Sequence, residues 1–170
     1  NCHAGPFMTD HDFHAMGTPQ LGPGKGERFE RHQRDIGRMR VTNRPEDMFA
    51  FRTASLRNIT LTAPYGHAGG HLDLGDFLKF HADPKQQLRR YEPQGLLPPL
   101  QDSKDDWGSL KNGQDFPAIA AAVTAPAVTL SAQTIDELLA FLGSLEDPIA
   151  KAGGAMGIPA HVPSGLAIDR

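Results

Sequence analysis

Apolar positions fall into helical register at two places along this chain. In DLGDFLKFHAD, Leu74, Phe77, Leu78 and His81 recur at i, i+3, i+4 and i+7, which lays them on one face of a helix predicted over residues 73 to 82. A histidine therefore shares the buried face with three apolar side chains. In SAQTIDELLAFLGSLED the same spacing collects Leu138, Phe141, Leu142 and Leu145, predicting a helix over 131 to 145. Ser131 stands where an N-cap belongs, and Thr134 with Glu137 offers an alternative capping box. Pro84 suits a first helical position, so a further turn or two is expected through KQQLRRY.

Elsewhere the periodicity is broken. Residues 1 to 72 are punctuated by Gly17, Pro19, Gly22, Pro23, Gly24, Gly26, Gly37, Pro45, Pro64, Gly66, Gly69 and Gly70, and only short helical turns are expected there, around 45 to 49 and 54 to 58. Residues 92 to 129 read as a long connection holding the sole tryptophan, Trp107, and an Ala-rich stretch from 118 to 122. The tail from Pro148 to Arg170 reads as extended. No internal repeat or low-complexity tract is visible. The pattern predicts an all-α fold of short helices tied by long ordered loops.

Composition adds a constraint. A chain of 170 residues suffices for one domain with a real core, yet 18 Gly, 14 Pro and only 7% aromatic residues leave the centre short of large side chains. A bound apolar group would fill it. The net charge of -3 argues against nucleic acid as the main partner. Charge is uneven: Lys25, Arg28, Arg31, Arg34, Arg38, Arg40, Arg44, Arg52 and Arg57 outnumber Glu27, Glu30, Asp35, Glu46 and Asp47, a run expected to be mostly solvated with one or two cations left to meet carboxylates. No stretch approaches the roughly 18 apolar residues of a membrane span, and no signal peptide is recognised.

The only cysteine, Cys2, is followed directly by His3. Three readings fit: a thiol activated by a neighbouring imidazolium, the tail of Cys-x-x-Cys-His, which attaches c-type haem, or a frayed terminus. On the haem reading the first cysteine lies two residues upstream of Asn1, and upstream sequence with any targeting segment is expected beyond these residues. A zinc site has little support, since HAGGH sits in a Gly-rich loop and no Cys-rich pattern exists.

Four ordered blocks decide among them. NCHAGPFMTDHDFHAMG, DIGRMRVT, FRTASLRNITLTAPYGHAGG and LGDFLKFH resemble the C-terminal haem domain of the bacterial di-haem cytochrome c peroxidases and their MauG relatives, over residues 1 to about 82, with the final amphipathic helix continuing the likeness to about 145. The resemblance implies a cytochrome c-like haem domain over 1–147, followed by the 148–170 tail, with an N-terminal haem domain of the same protein as its neighbour. Cys2 would form a haem c thioether and His3 the proximal iron bond. The distal ligand in relatives lies fourteen residues after the histidine of the Pro-Tyr-x-His run, commonly Met or Tyr; counting from His67 reaches His81. Histidine on both sides of the iron generally lowers its potential relative to Met ligation. His14 and His67 are expected to line the haem pocket, and Thr62 and Pro64 to offer backbone carbonyls to a calcium ion between the two haem domains. His11, His32, His71 and His161 are expected to be exposed, and Trp107 to serve packing. Leftover arginines would meet the haem propionates.

The implied activity is electron transfer within a periplasmic di-haem peroxidase, from a small donor such as a cytochrome c or cupredoxin to a separate haem that reduces hydrogen peroxide. The resemblance leaves two alternatives, a MauG-like oxidase acting on a protein side chain and a non-haem binding module, and it leaves a homodimer open. With one incomplete haem motif, this segment alone is not expected to be an efficient peroxidase.

Overall fold

The computed structural model describes residues 2–20, 34–92, 115–151 and 163–165. His32, His161, Trp107, Lys25, Glu27, Arg28, Glu30 and Arg31 lie outside them. In chain order the elements are β1 (Phe13–His14), α1 (Met39–Thr42), β2 (Phe51–Arg52), α2 (Leu74–Ala82), α3 (Pro84–Arg90), α4 (Asp115–Ala122), α5 (Ala132–Gly143) and α6 (Pro148–Lys151), with 3-10 turns at Pro45–Asp47 and Ile59–Leu61. The structure is mostly helical. Among the described residues the one sheet is the antiparallel pair β1–β2, which sets Phe13 opposite Arg52 and His14 opposite Phe51.

Local chemistry explains where α2 and α3 meet. Asp73 caps α2 by accepting from the Asp76 amide at 2.8 Å. Asp83 ends α2 and starts α3, accepting from the Gln86 amide at 3.1 Å, with Pro84 at the first position of α3. A proline there loses no intrahelical donor, and its fixed φ suits the first turn. The chain thus turns a tight corner at Asp83. Ser131 caps α5 as its sequence predicts, accepting from the Thr134 amide at 3.0 Å.

Helix α2 packs between two apolar clusters. One gathers Phe49, Phe80, Leu88 and Ile119; the other gathers Tyr65, Leu74 and Leu142. Phe77 packs against both. The helix therefore buries two faces, and Phe80, outside the predicted stripe, is among its most buried side chains. On α5 the inward side matches the expected one at Leu142 and Leu145, which join the second cluster, and differs from it at Phe141. Leu139 and Leu142 join the second cluster, whereas Phe141 is 45% exposed. A close approach sets this register: a Cβ built on Gly75 would stand 3.7 Å from Leu139 and 3.9 Å from Ile135, so the helices meet along Ile135 and Leu139, about a third to nearly half a turn away from Phe141.

Other expectations shift. The turn placed at 54–58 falls instead at Ile59–Leu61, and α1 was not foreseen. The 92–129 connection contains α4, where Ile119 is 2% exposed. The tail expected to be extended from 148 begins with the helical turn α6, its Lys151 amide donating to Asp147 at 2.9 Å. Several charges read as solvated are structural ties. Arg34 pairs at 2.8 Å with Asp115, whose side chain is 4% exposed. Arg38 bonds Asp12 at 3.2 Å and lies 4.5 Å over the Phe13 ring.

Gly37, in the DIGR block, has φ +62, and a Cβ there would meet the Ala50 carbonyl oxygen at 2.4 Å. Only glycine fits both that conformation and that approach. Gly37→Ala is expected to lower stability by about 2–4 kcal/mol in denaturant unfolding, and a cost below half a kilocalorie would show that this strand contact is dispensable. Leu88→Ala, which empties a fully buried site, is expected to cost about 2–5 kcal/mol, while Phe141→Ala costs under about 1 kcal/mol because its ring is already partly hydrated. Equal losses in those two variants would contradict the observed register of α5.

Candidate functional site

The segment from Cys2 to His14 curls back on itself. Backbone amides of Met8, Thr9 and Asp10 donate to the carbonyls of Gly5, Ala4 and Cys2 at 3.1, 3.0 and 2.7 Å, and Met8 and His11 adopt positive φ to close the turns. The Thr9 hydroxyl, buried, donates to the Thr53 carbonyl at 2.8 Å, while β1 ties the far end to β2. Residues adjacent in sequence to Cys2 are thereby anchored to the middle of the chain.

This loop orients His3. Its Nδ1 lies 3.2 Å from the Met8 carbonyl oxygen, an acceptor only, so Nδ1 is the donor. His81 enters from α2. Its ring meets the edge of Phe77 at 4.5 Å between centroids. Its Nδ1 is sealed from solvent and has no hydrogen-bond partner. Burial, and next the positive charge of His3, bring His81 down to about 4, against a weaker upward pull from the Phe77 carbonyl one turn back. His3 and His81 are thus near enough for their charges to interact, although 78 positions apart in sequence. His81 presents a neutral imidazole near neutral pH. An imidazole kept neutral in an apolar wall is a poor base and a good metal ligand.

His71, expected to be exposed, is instead packed inside an aromatic cage. Its ring lies 5.1 Å from Phe77, 4.8 Å from Phe80 and 5.4 Å from Tyr91, centroid to centroid, and its Nε2 is buried without a partner. Burial lowers its pKa. The correction has a backbone cause: His71 pairs with Tyr65 through amide-to-carbonyl bonds of 2.7 and 3.1 Å, which draws the Gly-rich loop onto α2. Tyr91 closes the cage, its hydroxyl donating to the Gly70 carbonyl at 2.6 Å, and burial pushes it up to about 12.

His14 and His67 each have a carboxylate partner. His14 bonds Asp10 at 2.8 Å. His67 bonds Asp35 at 2.8 Å and stacks on Phe51 with centroids 3.6 Å apart. Asp10 is held far below the usual carboxylate range, chiefly by the Asp12 amide and next by His14. Thr62 and Pro64 are exposed, and the Thr62 hydroxyl donates to the Ile59 carbonyl at 3.0 Å. His11 is exposed as expected, accepting from Arg52 at 2.6 Å. Asp10 and Asp35, the partners of His14 and His67, were not singled out by sequence, although both lie inside the quoted blocks.

The residues fit a haem. Two imidazoles from distant parts of the chain, the exposed His3 and the buried His81, come near enough for their charges to interact, His81 has an orphaned, buried Nδ1, and Phe77 packs against its ring. Cys2, a half-buried free thiol, neighbours His3.

The depressed pKa of His81 has a measurable consequence in the haem-free chain. Unfolded, the ring takes up a proton near 6.5; folded, near 4. As pH falls through that interval only the unfolded chain gains the proton, so stability is highest above pH 6.5 and falls toward pH 4, by at most about 1.4 kcal/mol per pH unit. Proton NMR should find the His81 ring resonances unmoved between pH 8 and pH 5.5, and a midpoint above 6 would place the ring in water rather than in the wall.

No protein-family profile matches the chain. Among curated proteins it is 30% identical over 99 residues to the cytochrome-c peroxidase IdrP1 of Pseudomonas sp. (strain SCT), covering 47% of this chain and 26% of that protein. It is 30% identical over 112 residues to the cytochrome-c peroxidase IdrP2 of Denitromonas iodatirespirans, covering 56% of this chain and 30% of that protein. To the cytochrome c551 peroxidase of Pseudomonas aeruginosa it is 50% identical over 42 residues, 25% of this chain and 12% of that protein. The chain spans about a quarter of the length of the first of these relatives. Over part of its length it is a distant relative of proteins named cytochrome c peroxidases.

Proposed function

We propose that this chain is the electron-transfer haem domain of a periplasmic di-haem cytochrome c peroxidase, with haem c held by Cys2, His3 and His81. The observation that supports the reading is the buried, neutral His81 imidazole with its unpartnered Nδ1, near enough to His3 for their charges to interact, with His3 Nδ1 beside the Met8 carbonyl. The named relatives favour a peroxidase over an oxidase of protein side chains. When bound, haem c supplies a one-electron iron couple.

The chain's own residues then have separable roles. Cys2 would fix the porphyrin edge through a thioether, while the Met8 carbonyl holds the His3 ring in the tautomer that leaves Nε2 available. Phe77 would fix the tilt of the His81 ring and, with the His71 cage, exclude water from the α2 side. His14 and His67, each held by a carboxylate, would border the group. Thr62 and Pro64 would give carbonyls to a calcium ion completed by ligands of the N-terminal haem domain. That domain would receive the electron and meet hydrogen peroxide, and a small redox protein would supply it. Among the described residues no helix is long and apolar enough to cross a membrane.

The test is ligand replacement. In a version of the chain that carries the complete Cys-x-x-Cys-His motif, His81→Ala is expected to convert a six-coordinate, low-spin spectrum into a high-spin or water-bound one and to shift the reduction potential. An unchanged spectrum and potential would remove His81 from the iron.

A further inference from the structure

The loop that carries Cys2 and His3 also holds an aromatic ring out into solvent. Phe7 is 60% exposed, on a segment closed by the Asp10 amide, which donates to the Cys2 carbonyl at 2.7 Å. Phe7 follows Cys2 by five positions, so the two stand within about 18 Å of each other. The ring is held in place from the chain behind it. The Ser55 hydroxyl donates to the Phe7 carbonyl at 2.7 Å and accepts from the Arg57 amide at 3.2 Å.

Two cations flank it. Arg57 donates from Nη2 to the Pro6 carbonyl at 3.1 Å. Arg52 donates from Nη2 to His11 Nδ1 at 2.6 Å, and the His11 ring lies 6.4 Å from that of Phe7, centroid to centroid. A carbonyl and an imidazole nitrogen fix these guanidiniums without cancelling their charge, whereas Arg34 and Arg38 are paired with carboxylates. The acidic side chains of the same segment are turned to other partners, Asp10 to His14 and Asp12 to Arg38. In a chain of net charge -3, this face carries the opposite sign.

We infer that Phe7, Arg52 and Arg57 form the docking face for an acidic one-electron carrier protein, an inference that rests on haem c being held at Cys2 and His3 of the same loop. Aromatic side chains and arginine are the residues enriched at the energetic centres of protein interfaces. The small extent of the face suits such a partner, because electron-carrier encounters bury less than about 1,200 Å². The two guanidiniums attract and orient an anionic surface, and they repel a basic one. The ring supplies the contact from which water is displaced. One electron leaves the carrier and takes the iron from ferric to ferrous, with no proton moved and no bond made or broken.

The test uses the haem-loaded protein with the complete Cys-x-x-Cys-His motif, mixed without oxygen against reduced plant-type ferredoxin, an acidic carrier. The second-order rate constant for haem reduction is expected to fall as salt is raised. In the double variant Arg52→Glu/Arg57→Glu it is expected to be lower than in the parent by about tenfold or more at about 10 mM salt. The difference should shrink below about twofold at about 1 M, where the Debye length is about 3 Å. Phe7→Ser should slow the reaction at both salt concentrations and keep the parent's salt dependence, and Arg89→Glu, on α3, should match the parent. Haem spectrum and reduction potential should be the same in every variant, which separates docking from damage at the iron. Oxidation of the reduced protein by ferric, basic cytochrome c should instead be faster in the double variant. Equal ferredoxin rates in the parent and the double variant at low salt, or equal losses with both carriers, would overturn this inference alone. A protein without haem absorption would overturn the haem reading, and this inference with it.

Discussion

Everything in this structure that bears on function hangs on the burial of Phe77. Its ring belongs to both apolar clusters, stacks on Tyr65 at 6.0 Å, meets His71 at 5.1 Å and presents its edge to His81 at 4.5 Å. One side chain thus transmits the packing of α3 and α4 on one side, and of α5 on the other, to the buried imidazole of His81. Interiors are close-packed, so a ring held from several directions has little freedom to rotate. The orientation of His81 is in this sense a property of the whole core.

The same packing explains the electrostatic cost carried by the site. His71 Nε2 and His81 Nδ1 are both buried without partners, and an orphaned polar atom costs about 1–3 kcal/mol. Desolvation is the leading cause of the lowered pKa at each ring. A chain that only needed to fold would be better served by phenylalanine or leucine at such positions. Retention of an imidazole in an apolar wall is understandable where its neutral, unprotonated nitrogen is the useful feature.

Polar ties hold the loops that the clusters do not reach. Arg34 reaches the buried Asp115 at the start of α4, and a buried carboxylate left unpaired is strongly destabilising. At the other end Asn58 accepts from the Asp147 amide at 2.6 Å and Thr60 donates to Glu146 at 2.8 Å, fastening the turn before Thr62 to the end of α5. His67 and Asp35 form a third tie, between the Pro-Tyr-x-His run and the DIGR block. Blocks that look like separate motifs in the sequence are therefore physically joined.

The sequence by itself determined the two strong helices, the cap at Ser131 and the helix start at Pro84, because helical periodicity and capping are local and each rests on residues within a turn or two. It also marked His81, by its register with Leu74, Phe77 and Leu78, and placed Cys2 beside His3. Three features lay beyond it. The helix α4 has a weak apolar pattern and is defined by packing of Ile119 against Phe49, Phe80 and Leu88. Register on α5 depends on Gly75 of another helix, so that Phe141 faces outward although its spacing allows burial. The cage of His71 and the meeting of His3 with His81 require chain closure across dozens of residues. Local pattern decides what a segment can form; only the simultaneous packing of distant segments decides which face it buries and which side chains meet.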